Sequence, residues 1–192
     1  MKTVIYGCLL SAAITLPCYA ALKEGDKAPD FQAKASLAGK DHVYSLKDAL
    51  KKGTVVVYFY PSAYTGGCNI QAHTFAVKHE QFSAAGASVV GVSLDSIERL
   101  NEFSADPDFC AGKFPIVSDA DGAIAKSYDL TVREAQPGKT DSRGQPIDHG
   151  FAERTTFVVT PDGQIVSTIG ELKPVENVEK ALEIVLKHST AK

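Results

Sequence analysis

Cysteine is scarce in this 192-residue chain, and half of the four it has, Cys8 and Cys18, fall within the first twenty residues. Beyond that stretch only Cys68 and Cys110 remain, so an intramolecular disulfide has a single possible connectivity and a many-bridged scaffold is excluded. The paired thiols of a Cys-x-x-Cys motif are missing, because Thr65 and Gln71 occupy the positions three residues either side of Cys68. No second Cys or His stands at metal-ligand spacing from His73, which gives little support to zinc or copper. Basic residues do not outnumber acidic ones, which argues against nucleic acid or an anionic membrane as partner. After the first twenty residues no apolar run is long enough to cross a bilayer. Internal repeats, low-complexity tracts and long linkers are also absent.

What is present begins with a leader. Lys2 is its only charge, Val4–Leu16 is largely apolar, and Pro17-Cys18-Tyr19-Ala20 ends on small residues at the minus-three and minus-one positions. This reads as an export signal over residues 1–20 cleaved after Ala20. A transmembrane helix fits less well, since the apolar run is short and no stop-transfer segment follows. Lipid attachment at Cys18 is disfavoured by Pro17. Removing Lys2 with the leader leaves 19 basic residues of 20 against 23 acidic ones, a net charge of −4. Residues 21–192 are enough for one domain with a proper core, working in the periplasm or outside the cell. There, two cysteines are often a structural staple.

Cys68 has a more particular setting. Thr54–Tyr60 is a run of β-branched and aromatic residues ended by Pro61, which predicts a strand. After Cys68 the pattern turns helical, with Ala72, Phe75, Ala76, His79 and Phe82 near one face. A thiol at a helix start faces unpaired backbone N–H groups and the positive end of the helix dipole, and both favour thiolate. Redox or nucleophilic sulfur chemistry is therefore expected.

The rest alternates. Ala87–Ser93 predicts a strand, Ser96–Phe103 a helix, Phe114–Val117 a short strand and Ala123–Tyr128 a helix. A hairpin follows, Thr155–Val159 and Gln164–Ile169 around Thr160-Pro161-Asp162-Gly163, and Val175–Lys187 closes the chain as a helix. This predicts an α/β fold with a central mixed sheet flanked by helices. Arg133–Gly150, rich in Gly, Pro, Asp and Gln, reads as a surface loop that could shape access to a site or meet a reductant.

Several motifs resemble the peroxiredoxins. Pro61-xxx-Thr65-xx-Cys68 is similar to their active-site signature, and Arg154-Thr155-Thr156-Phe157 to their second one. Gly25–Phe31 resembles their N-terminal entry and Phe114–Asp119 a middle segment. Phe59-Tyr60-Pro61 and Gly67-Cys68 bring the chain nearest the Q-type, or bacterioferritin comigratory protein, group. The resemblance implies a thioredoxin-like fold and a thiol-dependent peroxidase that reduces hydrogen peroxide and small organic hydroperoxides. It implies no cofactor and no metal, a thioredoxin-like or other dithiol reductant, and a monomer or homodimer. Cys68 would attack the terminal peroxide oxygen and become a sulfenic acid. Thr65 would orient the peroxide, Arg154 would hold positive charge beside sulfur and peroxide, and Pro61 would shield the sulfur. Full ionisation alone gains about thirtyfold, so the larger share must come from fixed donors at the separating oxygens.

The chain departs from the group at two places. Gln71 stands where many members have glutamate, and His73 where many carry the resolving cysteine. His73, beside the apolar stripe, reads as a partly buried structural histidine. Cys110, 42 residues beyond Cys68, is then the candidate resolving cysteine, although extra residues around Asp106–Asp108 alter the register. A static Cys68–Cys110 disulfide and a free thiol are the other readings of Cys110. The competing functions are a thiol–disulfide exchanger, or a thioredoxin-like binding or metal-delivery module. Thr65 and Pro61 also have plain readings, as a helix cap and a strand terminator.

Overall fold

The structure, a computed structural model, describes residues 21–189; the expected leader lies outside them. The first strands of the described residues form a hairpin, β1 (Gln32–Leu37) and β2 (Lys40–Ser45), followed by the short helix α1 (Leu46–Leu50) capped by Ser45. The sequence reading did not anticipate these strands, whose residues are mostly polar and show no β-branched run. Their turn residues, Ala38 and Gly39, both have positive φ (51° and 78°), the geometry of a two-residue hairpin turn without its usual Asn-Gly signal.

The anticipated elements follow in order. They are β3 (Thr54–Phe59), α2 (Gly66–Ala84), β4 (Ala87–Ser93), α3 (Ile97–Ala105), β5 (Ile116–Ser118) and α4 (Ala123–Ser127). Two-residue strands β6 (Val132–Arg133) and β7 (Phe151–Ala152) pair with each other and close the neck of the 133–150 segment. The chain ends with the hairpin β8 (Thr155–Val159) and β9 (Ile165–Ile169), then α5 (Pro174–Ser189).

Among the described residues seven strands form one mixed sheet in the order β2-β1-β5-β4-β3-β8-β9. β3, β4 and β5 run parallel, whereas β8 lies antiparallel to β3. The central strands are buried on both faces, which explains their near-continuous apolar runs. The period-two alternation splits β3 cleanly: Val56 and Tyr58 pack under α2, α3 and α5, while Val55, Val57 and Phe59 pack toward α1 and α4. Each large side chain buried this way contributes roughly 1.5–3 kcal/mol. The loops leaving β3 and β4 meet at one edge of the core, and the site is built there.

Candidate active site

Cys68 is the third residue of α2, in the turn whose backbone N–H groups have no acceptor within the helix. Its side chain is 2% exposed. The Arg154 guanidinium, just before β8, donates from Nη2 to the Cys68 sulfur at 3.2 Å. Gly67 leaves room for that approach, because a Cβ there would crowd Nη2 at 3.1 Å. The helix end and a permanent cation thus converge on one buried sulfur.

Arg154 is itself held. Its Nη1 donates to Gln71 Oε1 and to the Gly67 carbonyl (3.5 Å). Gln71 Nε2 donates to Asn177 Oδ1 (3.0 Å), which also accepts from Thr156 Oγ1 (2.6 Å), and Asn177 Nδ2 donates to the Ile169 carbonyl (3.1 Å). Gln71 is three residues after Cys68 and therefore on the same helix face. The substitution noted in the sequence gives Arg154 a neutral partner and leaves its charge directed to the sulfur.

Thr65 occupies the N-cap position of α2 but does not cap it with its side chain. Its hydroxyl instead donates to the Ser62 carbonyl at 2.8 Å, which leaves its lone pairs free to accept. Pro61 lies half-buried at the end of β3, and Tyr64 between them has φ +58°. A positive φ on a bulky residue costs about 1–3 kcal/mol and persists only where its surroundings enforce it. Here Ser142 donates from both its backbone N (2.9 Å) and Oγ (2.8 Å) to the Tyr64 carbonyl. The Arg143 guanidinium lies 3.3 Å from the Tyr64 ring centre, and Phe103 and Phe109 pack edge-on to it.

Ser142 and Arg143 belong to the 133–150 segment. Most of it is exposed, as expected, but Asp141 and Ile147 are buried and the segment is packed onto the Cys68 loop. Arg99 links the two, donating to the Ala63 carbonyl (3.0 Å) and to Asp141 Oδ2 (2.7 Å). Beneath them lies Asp95, fully buried, which accepts from the Ala63 N–H, Ser62 Oγ and Ser93 Oγ at 2.8–2.9 Å. Burial alone would raise the Asp95 pKa; the His149 hydrogen bond and charge, with the Ala63 and Ser93 donors, outweigh it and hold the carboxyl below its ordinary value.

Cys110 is not in α3 but five residues beyond it, in turns where Ala111 (φ 50°) and Gly112 (φ 67°) reverse the chain. Both cysteines are free thiols buried in the same core cluster. Both also act on the fully buried Tyr58 hydroxyl, whose pKa is driven up first by burial, then by Cys110 and Cys68. Burial, then the Asp106 carboxylate, raises the Cys110 pKa.

His73 corrects the sequence reading: it is exposed, not partly buried, and its Nδ1 meets the Asp108 carbonyl at 3.0 Å. The helix turns it away from Ala72 and Phe75, toward the turns that carry Cys110. Among the described residues no group of three or more His, Cys, Asp or Glu side chains is placed to hold a metal ion.

Of the residues that the sequence singles out, the fold brings Arg154 against Cys68 and sets Thr65 at the N-cap of the same helix, with Pro61 four residues before Thr65. Sequence reasoning missed Ser62, Asp95, Asn177 and His149, each polar and lying at an unremarked position. Only a buried polar residue's need for partners links them, and that need becomes visible with the fold.

Residues 24–168 match the model of the AhpC/TSA family. A peroxiredoxin Bcp of Xanthomonas campestris pv. campestris is 32% identical over 135 residues, covering 70% of this chain and 78% of that protein. The crystal structure of peroxidoxin BcpB from Mycobacterium tuberculosis matches with a TM-score of 0.70 at 28% identity, covering 85% of this chain and 96% of that one. A structure of X. campestris bacterioferritin comigratory protein, solved to study alkyl peroxide reduction, matches at 0.66 and 29% identity, covering 88% and 99%. The fold is thus the thioredoxin-like one of these proteins.

Proposed function

The chain belongs to the AhpC/TSA family and is a thiol-dependent peroxidase of the Q-type group, and on that premise we propose that Cys68 is its peroxidatic thiol. The observation that carries the assignment is the 3.2 Å contact from Arg154 Nη2 to the Cys68 sulfur. The Cys68 thiolate attacks the terminal peroxide oxygen, and the O–O bond breaks. Water or an alcohol leaves after taking a proton, and Cys68 becomes a sulfenic acid. Arg154 faces the oxygens as charge develops on them, Thr65 accepts from the peroxide O–H, and Pro61 covers the sulfur. Substrates are hydrogen peroxide and small organic hydroperoxides, the latter supported by the alkyl peroxide chemistry studied in the similar X. campestris protein.

Cys110 then attacks the sulfenic sulfur, water leaves, and a Cys68–Cys110 disulfide forms. A thioredoxin-like or other dithiol reduces it by exchange. A disulfide needs about 2.05 Å between sulfurs, and both thiols are free and buried here, so its formation requires movement that brings them together. The turns around Ala111 and Gly112 are the natural place for that movement. In this reading the chain is exported, loses residues 1–20, and works as one domain, residues 21–192, in the periplasm or outside the cell. Export is supported by Lys2, the apolar Val4–Leu16 and the small residues before Ala21.

The test is steady-state peroxide consumption with a dithiol reductant. Wild type turns over, Cys68→Ser does not, and Cys110→Ser completes a first turnover at the wild-type rate but recycles slowly. Wild-type consumption by Cys68→Ser would overturn the assignment.

A further inference from the structure

We propose that His149 is a positioning residue for the peroxidatic loop, acting on Thr65 through Asp95 and Ser62. The proposal rests on the peroxidase reading of Cys68 and adds to it a group from the 133–150 segment.

Four residues form a continuous chain. His149 Nε2 meets Asp95 Oδ1 at 2.9 Å, Ser62 Oγ donates to the same oxygen at 2.9 Å, and Thr65 Oγ1 donates to the Ser62 carbonyl at 2.8 Å. Asp95 also takes the Ala63 N–H (2.8 Å), so one carboxylate fixes both residues that lead into the Tyr64 turn. Thr65 has no other hold on its hydroxyl through helix capping. Its direction is therefore inherited from Ser62.

The protonation of His149 follows from its neighbours. Nε2 faces Asp95 and Nδ1 faces the Gly150 carbonyl at 2.7 Å, and neither oxygen can donate. Only an imidazolium satisfies both; a neutral ring would set a lone pair against one of them. The local charges balance on that basis. Asp95, Asp141 and Glu102 face Arg99, Arg143 and His149 through the ion pairs that connect them. Asp95 and Arg99 are the charged groups that face His149 itself, with the Ser62 hydroxyl at 3.4 Å and the Phe151 ring alongside. Burial alone would lower the His149 pKa, and the Arg99 charge lowers it further. The Asp95 hydrogen bond and charge, with the Gly150 carbonyl, outweigh both and raise it above the ordinary 6.5.

Loss of the proton turns one of the two contacts repulsive and leaves Arg99 as the one cation the ion pairs set against Asp95. The Ser62–Thr65 turn loosens, and the peroxide loses an aligned acceptor. Displacement of such a group by a fraction of an ångström to one ångström costs about tenfold to a hundredfold in rate.

The experiment has two readouts on the reduced full-length mature protein. One is an NMR titration of the His149 ring nitrogens together with the Thr65 amide. The other is the second-order rate of Cys68 oxidation by hydrogen peroxide across the same pH range, in wild type and His149→Gln. The expected result is a doubly protonated ring at pH 6, and a Thr65 amide and a descending rate limb that follow the His149 titration above 6.5. His149→Gln loses that limb and reacts about tenfold to a hundredfold more slowly at pH 6. A neutral ring at pH 6, a Thr65 amide indifferent to the titration, or a His149→Gln protein with the wild-type rate and profile would overturn the proposal. If His149→Gln does not fold, the wild-type co-titration decides. If Cys68 is inert to peroxide the peroxidase reading fails instead, and the ring and amide titrations still decide the coupling.

Discussion

The Arg154 guanidinium and the Cys68 sulfur meet at 3.2 Å beside Gly67, where a Cβ would stand 3.1 Å from the same Nη2. One donor lies on the strand side of the core and the sulfur on the helix side, so the pair exists only when β8 and α2 are docked. Replacing Arg154 by Gln keeps a donor but removes the charge. We expect the rate of Cys68 oxidation by hydrogen peroxide to fall about 10²–10³-fold, as for loss of one preorganised electrostatic donor. Arg154→Lys recovers little of it, because an ammonium cannot serve the sulfur, Gln71 and Gly67 from one planar fork. Stopped-flow measurement of the first oxidation checks both.

Gly67→Ala tests the same relationship without touching either partner. The new methyl stands 3.1 Å from Arg154 Nη2 and 3.4 Å from Pro174 Cγ, so the guanidinium has to move. Peroxide reactivity should drop while the melting temperature changes little, since helix propensity favours Ala over Gly by about 1 kcal/mol. Unchanged reactivity would mean that the Arg154–Cys68 contact does not set the rate.

Gln71→Leu removes the link between Arg154 and Asn177 and leaves buried hydrogen-bonding groups unpaired. Each such group costs about 1–3 kcal/mol, so denaturant unfolding should show a loss of that order together with slower peroxide reduction. The sequence flagged Gln71 only as an absence of glutamate. Its role was not legible there, because Asn177 lies 106 residues away and is tied to it only by the docking of α5 on α2.

Much else was legible. The β-branched run at Thr54–Phe59, Cys68 at a helix start, and the Thr160–Gly163 turn each carry a local signal, and the fold uses all three as read. The β1–β2 hairpin carried no such signal, because its strands are polar and its turn is Ala38-Gly39. His73 was misjudged because an apolar stripe locates a face only to within one helix position, and the neighbouring position points to solvent. Asp95 and His149 were invisible for another reason. A histidine–carboxylate contact joins residues 54 apart, and periodicity says nothing about such contacts.

Asp95 makes stability pH-dependent at the acid end. Its pKa is depressed on folding, so its contribution is present above the ordinary value of 3.8 and is lost as pH falls through the lower folded value. His149 has the opposite sign: raised on folding, it stabilises fully below 6.5 and loses that contribution as pH rises through its folded value. Asp95→Asn should therefore lower stability by about 3–5 kcal/mol near pH 6, the usual consequence of leaving buried cations without their counter-charge, and should flatten both limbs. Chemical denaturation of wild type and variant across pH 3–9 measures it.

Ser142 and Arg143 hold Tyr64 at its positive φ from outside the loop. Ser142→Ala with Arg143→Gln removes the hydroxyl donor and the stacked cation. The turn before Cys68 should then open more often, with faster hydrogen exchange over Tyr64–Asn69 and faster closure of the Cys68–Cys110 disulfide after oxidation. Mass spectrometry of exchanged and quenched samples follows both. Slower closure with unchanged exchange would contradict a restraining role for the 133–150 segment.

The most direct measurement adds one equivalent of hydrogen peroxide to the reduced mature protein and follows intact mass from milliseconds to seconds. Oxidation at Cys68 followed by loss of two hydrogens overall, with a Cys68–Cys110 peptide on mapping, is the predicted result. Oxygen retained on Cys68 alone would keep the peroxidase and remove Cys110 from its cycle. An unchanged mass would contradict Cys68 as the peroxidatic thiol.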